Sequence, residues 1–499
     1  MTNKPSALKR VPGRCAWAVL LFSLCAHAAG YARHAVGAPP RVAQAGSAAS
    51  CSAEPPVPAV PRTAKIFTRG ASADETAAIQ QALNGLKSGD WLVFPSGTYV
   101  ISRHLDVRAS GVTLYGRGAT LHSSNPKDGA LVIEGDGVAV YGFTLEQDSS
   151  DREGAPWSGG ISVDNDGKPV HGAIVQNNTI KNSAAAGILL FRADHFTVAD
   201  NTVWRSWADG IHMTAGSSDG RVIHNSVSQN GDDMIAVVSY AGARKAAAAS
   251  VRYADWSQLL KSQLDRNIYI YGNHLSDQYW GRGISVVGGS DVTIEDNTVS
   301  RTPLAAAIYL VRETSWMTFG DHNILVKNNT LSQIQTLAPT YKPPNITIVP
   351  THMPAIEVGA TLFDDEMGNA AYRSALDVSN IAIIGNTVQS ARFAGIRIGD
   401  GSQGSVVAAD PAGKPVTLKS APGPVSNVIV LDNKLSAVAG KELVEAHPGL
   451  DPATISCSGN TFDGKPWSTC SSTIPGRPMP AATVTGASLQ CAANGAVGR

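Results

Sequence analysis

The sequence predicts an all-β protein, a solenoid of parallel strands closed at its N-terminal end by a helix. Three observations carry this. A β-branched run ending in Asn, a small or polar residue and an apolar residue recurs along most of the chain. It appears at Asn178-Thr179-Ile180, Asn201-Thr202-Val203, Asn225-Ser226-Val227, Asn273-His274-Leu275, Asn297-Thr298-Val299, Asn329-Thr330-Leu331, Asn386-Thr387-Val388, Asn433-Lys434-Leu435 and Asn460-Thr461-Phe462. The steps 178→201, 201→225 and 273→297 are 23, 24 and 24 residues, and a period in the twenties built of short strands is the signature of coiled repeats. Composition agrees: 49 glycines and only 16% charged residues suit short strands and tight turns. Leucine-rich repeats share the period, but the units lack a leucine framework. Each Asn fits a turn, where it can bond neighbouring backbone and tolerate left-handed geometry.

The 499 residues divide in order. Lys4, Lys9, Arg10 and Arg14 precede the apolar stretch Cys15 to Ala29, and small residues follow, so residues 1–29 read as an export signal. That stretch is shorter than the about 20 apolar residues of a membrane span. An exported chain, periplasmic or secreted, is expected. Residues 30–62, rich in Ala, Pro and Gly, read as a flexible leader. A capping helix is expected from Ala73 to Leu86, with Ser72 or Asp74 as its cap and Ala78, Ile79, Ala82, Leu83 and Leu86 as its apolar face. A strand, a Pro-Gly turn and a strand follow over Asp90 to Tyr99. The β domain occupies 63–499 and is interrupted at 240–266, 333–376 and 401–424. The first interruption is Ala-rich and predicted helical, the second holds Pro339, Pro343, Pro344, Pro350 and Pro354, and the third is rich in Gly, Ser and Pro. Such insertions leave a solenoid on one side and wall a groove.

Beyond the signal the cysteines are Cys51, Cys457, Cys470 and Cys491, which allow two disulfides in an exported protein. Cys457–Cys470 and Cys51–Cys491 are the expected pairs. Their spacing does not suit a metal site. Lys plus Arg and Asp plus Glu are both 40, so neither a nucleic-acid partner nor a membrane contact is expected. The chain is expected to act as a monomer.

The chemistry concentrates in Ala208-Asp209-Gly210-Ile211 and Gly231-Asp232-Asp233-Met234-Ile235. Taking Ile188, Ile211, Ile235, Ile284, Ile308 and Ile396 as register marks, the residue two earlier is Ala186, Asp209, Asp233, Arg282, Ala306 and Ala394. With coils about 4.8 Å apart, Asp209, Asp233 and Arg282 then share a column, with Asp232 beside it if Gly231 lets the chain turn. Like charges so close raise each other's pKa, and an arginine relieves them. Asp232, slightly offset, is expected to keep a raised pKa and donate a proton, while the other two hold a water. An inverting glycosidase spaces acid and base about 6.5–9.5 Å apart.

The stretch Trp207 to Val238 resembles the central motifs of the polygalacturonase family of glycoside hydrolases, right-handed parallel β-helices that hydrolyse glycosidic bonds with inversion. That family's pattern runs Asn-Thr-Asp-Gly, Gly-Asp-Asp, Gly-His-Gly and Arg-Ile-Lys. The resemblance implies that Asp232 is the general acid and that Asp209 and Asp233 activate water. The sequence departs from the pattern at Gly281-Arg282-Gly283, where an arginine replaces the histidine. It departs again at Ile308-Tyr309-Leu310-Val311, where Arg-Ile-Lys is absent, which argues against pectin. Asp74 to Tyr99 resembles the N-terminal cap of pectate-lyase-like proteins. The expected catalytic set is Asp209, Asp232, Asp233 and Arg282. The expected contacts to a polysaccharide are His212, Trp207, Tyr240, Trp280, Tyr309 and Arg312, aromatic faces suiting sugar rings, with Trp204 and Tyr279 nearby. No cofactor is expected for hydrolysis. The rival readings are a lyase or uronate epimerase, which would use Arg282 and a Ca²⁺ held by the aspartates, and a non-catalytic carbohydrate-binding protein.

Overall fold

The computed structural model describes residues 51–241, 246–247, 250–252, 264–343, 351–367, 375–399, 404–409, 414–440, 450, 454–467, 484 and 486–487. The expected signal and most of the leader lie outside this set. Three long sheets of 15, 14 and 13 strands run side by side along one axis, and each coil gives one strand to each. The coil that ends at Asp209's strand contributes Thr197–Ala199, Thr202–Trp204 and Ile211–Thr214. Neighbouring coils pair in parallel: Ile161, Ile188, Ile211, Ile235, Ile284, Ile308, Ile356 and Ile396 form one column. Ile356 is absent from the expected series, because its coil hides inside the proline-rich 333–376 stretch. The residue two before it is Pro354, so Ala394 stands one coil farther from the aspartates than expected.

Inward side chains make one continuous core of Ile, Val and Leu, most of them fully buried. Each such side chain contributes about 1.5–3 kcal/mol on leaving water. The recurring Asn side chains form a second internal stack. The backbone N–H of Asn178 donates to Asn201 Oδ1 at 3.0 Å, Asn201 to Asn225 at 2.9 Å, Asn225 to Asn273 at 2.9 Å, and the pattern runs to Asn433 and Asn460 at 2.9 Å. Each side-chain N–H donates along the same stack, as from Asn273 Nδ2 to Asn297 Oδ1 at 2.9 Å. The left-handed residue is the one before each of these: Asn177, Asp200, His224, Gly272 and Asp296 all have positive φ. The Asn therefore bonds its neighbours as expected, while its predecessor makes the turn.

The N-terminal helix is shorter than expected, Thr76–Asn84. Asp74 Oδ1 accepts the Thr76 N–H at 2.9 Å at its start, and Ile79, Leu83 and Leu86 close the end of the core. The end of the expected leader is docked: Gln176 Nε2 donates to Pro55 O at 2.8 Å, Arg221 Nη1 donates to Ala53 O at 3.0 Å, and Cys51 packs against Ala199, Ile223 and Tyr269. Cys51 and Cys457 are each disulfide-bonded, but Cys470 and Cys491 lie outside the described residues, so the pairing stays an expectation. Within the 240–266 insertion Ala246–Ala247 and Ser250–Arg252 are strands where a helix was expected, and 253–263, where that helix was to end, lie outside the described residues. Alanine's helix propensity is a weak influence that pairing overrides. Ser250–Arg252 pairs with Gly404–Ala409 of the 401–424 insertion, and that hairpin, through Pro415–Pro422, pairs with Ile356–Phe363. The insertions thus extend the sheet that carries the isoleucine column. No helix among the described residues is long and apolar enough to cross a membrane.

Candidate active site

Asp209, Asp233 and Arg282 sit at the entry to three neighbouring strands, Ile211–Thr214, Ile235–Val238 and Ile284–Val287. The column is hydrogen-bonded: the Asp233 N–H donates to Asp209 Oδ1 at 3.0 Å, and the Arg282 N–H donates to Asp233 Oδ1 at 2.7 Å. Two glycines allow this. Gly281 has φ of 68°, and a Cβ there would come within 2.5 Å of the Asp232 carbonyl carbon. Gly231 serves by its size and not by left-handed geometry: a Cβ would meet Trp207 O at 2.2 Å and Tyr279 Oη at 2.5 Å. Below the entry, Ser206 N donates to Asn230 Oδ1 at 3.1 Å and Asn230 N to Gln278 Oε1 at 2.8 Å, while Gln278 Nε2 holds the Asp232 carbonyl.

Each aspartate has its own cationic partner. His212 Nδ1 lies 2.8 Å from Asp209 Oδ2, Arg152 Nη1 donates to Asp232 Oδ2 at 2.8 Å, and Arg282 Nη1 donates to Asp233 Oδ1 at 3.3 Å. Ser285 Oγ donates to Asp233 Oδ2 at 2.5 Å. Arg282 also bonds Glu313 and stacks 4.3 Å from the Tyr309 ring centre. One oxygen of each aspartate lies within 4.8 Å of the others, closer than the acid–base spacing expected for inversion. Three carboxylates this close could hold a divalent ion, and each also has a basic side chain beside it.

This environment splits the carboxyls. Burial pushes Asp209 up, but His212, Arg152 and Arg282 outweigh it and hold Asp209 below its ordinary value. Burial also pushes Asp233 up, Arg282 opposes, and Asp232 and Asp209 add to the rise, so Asp233 reaches about 7. The raised carboxyl is thus Asp233, where the sequence pointed to Asp232. For His212, burial works against the proton and Asp209 more than offsets it, raising its pKa.

The expected contact residues divide. Tyr240 is 40% exposed beside the aspartates. Trp207 and Trp280 are half-buried, and the Trp207 indole N–H is enclosed without a protein acceptor. Tyr309 is buried beneath Arg282, which takes its face. Trp204 is likewise covered by Arg205, itself 4.0 Å from the Tyr341 ring centre. Arg312 is fully buried and spends its donors on Glu366 Oε2 and Oε1 at 2.7 and 2.6 Å, Thr361 O at 2.7 Å and Thr318 O at 3.0 Å. It braces an insertion and does not face a ligand.

A family model described as right handed beta helix region matches residues 110–410. The chain belongs to this right-handed β-helix family. No curated protein sequence matches it. Among solved structures, the catalytic domain of a GH87 alpha-1,3-glucanase variant in complex with tetrasaccharides is 16% identical, with 83% of this chain and 67% of that chain covered and a TM-score of 0.52. The same type of domain in complex with nigerose is 16% identical, with 82% and 70% covered and a TM-score of 0.53. The Azotobacter vinelandii mannuronan C-5 epimerase AlgE6 A-module is 14% identical, with 78% and 95% covered and a TM-score of 0.48. At such identities the likeness establishes architecture alone.

Four members of this β-helix site were not anticipated. Ser285 was readable: one residue after each mark the column runs Leu189, His212, Ala236, Ser285 and Tyr309, so the register that gave the aspartates also gave Ser285. Gln278 was also readable: five residues after each repeat asparagine the chain has Ser183, Ser206, Asn230, Gln278 and Thr302, the inner polar stack to which it belongs. Arg152 and Glu313 arrive from outside the repeat, and no periodicity marks them.

Proposed function

We propose that the chain is an exported glycoside hydrolase acting on a neutral polysaccharide. The observation that carries this is the pair Asp209 and Asp233, hydrogen-bonded on adjacent coils and titrating apart. Two carboxyls pushed apart by their surroundings divide into a base and an acid. Asp233 keeps its proton to about pH 7 and gives it to the glycosidic oxygen as the C–O bond breaks. A water attacks the anomeric carbon and passes its proton to Asp209. Both Asp209 oxygens are engaged, one by the Asp233 N–H and the other by His212, which favours water over the Asp209 carboxylate as nucleophile and hence inversion, although the aspartate oxygens stand closer together than an inverting pair usually does. A neutral substrate is favoured because the Arg282 guanidinium is engaged by Asp233 and Glu313, and Arg312 by Glu366. Tyr240 offers the exposed aromatic face beside the reacting bond.

A second assignment has one observation in its favour. Asp232 is the most exposed of the three carboxyls, with 27% of its side chain accessible, and as donor it would match the polygalacturonase pattern. The two assignments separate in pH profiles. If Asp233 is the acid, Asp233→Asn abolishes turnover while Asp232→Asn keeps the alkaline limb near pH 7. If Asp232→Asn alone removes that limb, the second assignment stands.

The test of the whole reading is a panel of neutral and acidic polysaccharides, starting with alpha-1,3-glucan because the related architecture binds tetrasaccharides and nigerose. New reducing ends without ultraviolet-absorbing unsaturation, and an inverted anomer by NMR, are expected. Unsaturated ends would mean a lyase. Binding without turnover would mean a non-catalytic protein.

A further inference from the structure

We infer that Trp157, with His104 and Asp128 beside it, forms a sugar-binding subsite on the N-terminal side of the aspartates, two coils from Asp209 and three from Asp232 and Asp233. This rests on the hydrolase reading and extends its groove. Among the described residues the large exposed aromatic side chains are Trp157, at 49%, and Tyr240. Tyr240 stands on the coil of Asp232 and Asp233, and Trp157 on their N-terminal side. Tyr240 follows the strand Ile235–Val238, and Trp157 precedes the strand Ile161–Val163. Ile161 pairs with Ile188 and Ile188 with Ile211, so Trp157 lies two coil steps, about 10 Å, along the axis from Asp209's coil. It lies at the same strand-entry edge as Asp209.

The support under Trp157 is fixed before any ligand arrives. Its carbonyl accepts the N–H groups of Gly129 and Ala130, both at 3.0 Å, and the neighbouring Ser158 Oγ donates to Lys127 O at 2.6 Å. Ala185 N donates to Ser158 O at 3.0 Å, which ties the turn to the next coil toward the aspartates. The same segment supplies Arg152 to Asp232, so one stretch of chain links the proposed subsite to the reacting groups. The His104 ring stands 6.2 Å from the indole, tilted by 34°. Asp128 Oδ1 accepts the His104 N–H at 2.7 Å and lies 2.8 Å from His104 Nδ1. An exposed indole face suits the C–H face of a pyranose, and an adjacent carboxylate and imidazole suit its hydroxyls. A rigid platform limits the ordering that binding requires. The partner this chemistry recognises is a glycan chain long enough to reach from the aspartates to Trp157.

The test compares the wild type, Trp157→Ala and Trp157→Phe on linear neutral glucan oligosaccharides of increasing length. It measures KM and kcat, and Kd with the Asp233→Asn protein. Trp157→Ala is expected to raise KM and Kd for long chains about tenfold, to leave the shortest cleaved chain unchanged, and to keep kcat. Trp157→Phe is expected to recover most of the loss. Equal effects on long and short chains, or none on either, would overturn the subsite while leaving the hydrolase reading intact. Length-dependent binding without cleavage would keep the subsite and sink the hydrolase reading. If no glycan binds either protein, both fall.

Discussion

Two polar stacks run through this molecule, and they behave in opposite ways. The asparagine stack continues from Asn178 to Asn460 with the same two hydrogen bonds at each step, from the backbone N–H and from Nδ2 to the next Oδ1. The aspartate column lasts two coils before Arg282 ends it. An amide both donates and accepts, so each Asn can satisfy the next without limit. A carboxylate only accepts, and a second one above it is repelled. The donation is even reversed: in the asparagine stack the earlier coil's N–H reaches forward to the later side chain, while at the site the N–H of Asp233 reaches back to Asp209. A stack that propagates holds the fold. A stack that needs His212, Arg152 and Arg282 to exist at all holds a charge imbalance fit for proton transfer.

The sharpest way to break this contrast is at the charged stack. Asp209→Asn and Asp233→Asn should each cut glycan cleavage by about 10²–10⁴-fold while circular dichroism and the melting transition show the fold retained. Next in size, Arg312→Ala should lower unfolding stability by about 3–5 kcal/mol, because it strands Glu366 in the interior. Denaturant titration would show this, with KM unchanged in the folded fraction. A KM effect instead would return Arg312 to the substrate. In the neutral stack, Asn273→Ala leaves the Asn225 backbone N–H without its acceptor, while Asn225 Nδ2 keeps the Val198 and Ile223 carbonyls, and should lower stability by about 1–3 kcal/mol, with kcat per folded molecule unaffected. The smallest effect concerns pH. The folded pKa of Asp233 is raised to about 7, above its unfolded value, so the folded state holds this proton longer than the unfolded state does. Its contribution is most favourable in acid and is lost as pH rises from the ordinary carboxylate range through about 7. The melting temperature of Asp233→Asn relative to wild type should therefore climb across that window, and a flat difference would contradict the charge split.

Much of this was legible in the sequence for a physical reason. A solenoid repeats its hydrogen bonding every coil, so residues at equal offsets from Ile188, Ile211, Ile235 and Ile284 must stack, and the column of Asp209, Asp233 and Arg282 follows from arithmetic. The reading failed where the chain leaves the period. Ile356 was lost among prolines. Arg312 looked like a groove cation, yet its partner Glu366 lies 54 residues on, inside an insertion. Tyr309 looked like a sugar platform until Arg282 was found on its face. Arg152 reaches Asp232 from 80 residues upstream, a contact that exists only after the coils have closed. The electrostatics shifted for the same reason. Spacing places Asp232 and Asp233 side by side, but only packing tells which of them is buried.

The central claim is that one carboxyl of the column keeps its proton to about pH 7 while its neighbour stays ionised. Carbon NMR of aspartate-labelled protein, titrated in the wild type and in Asp209→Asn, Asp232→Asn and Asp233→Asn, measures this directly. The account predicts one carboxyl titrating near pH 7 that vanishes only in Asp233→Asn, and one below the ordinary range that vanishes in Asp209→Asn. All three aspartates titrating within the ordinary carboxylate range, or a near-neutral titration that survives in Asp233→Asn, would contradict it.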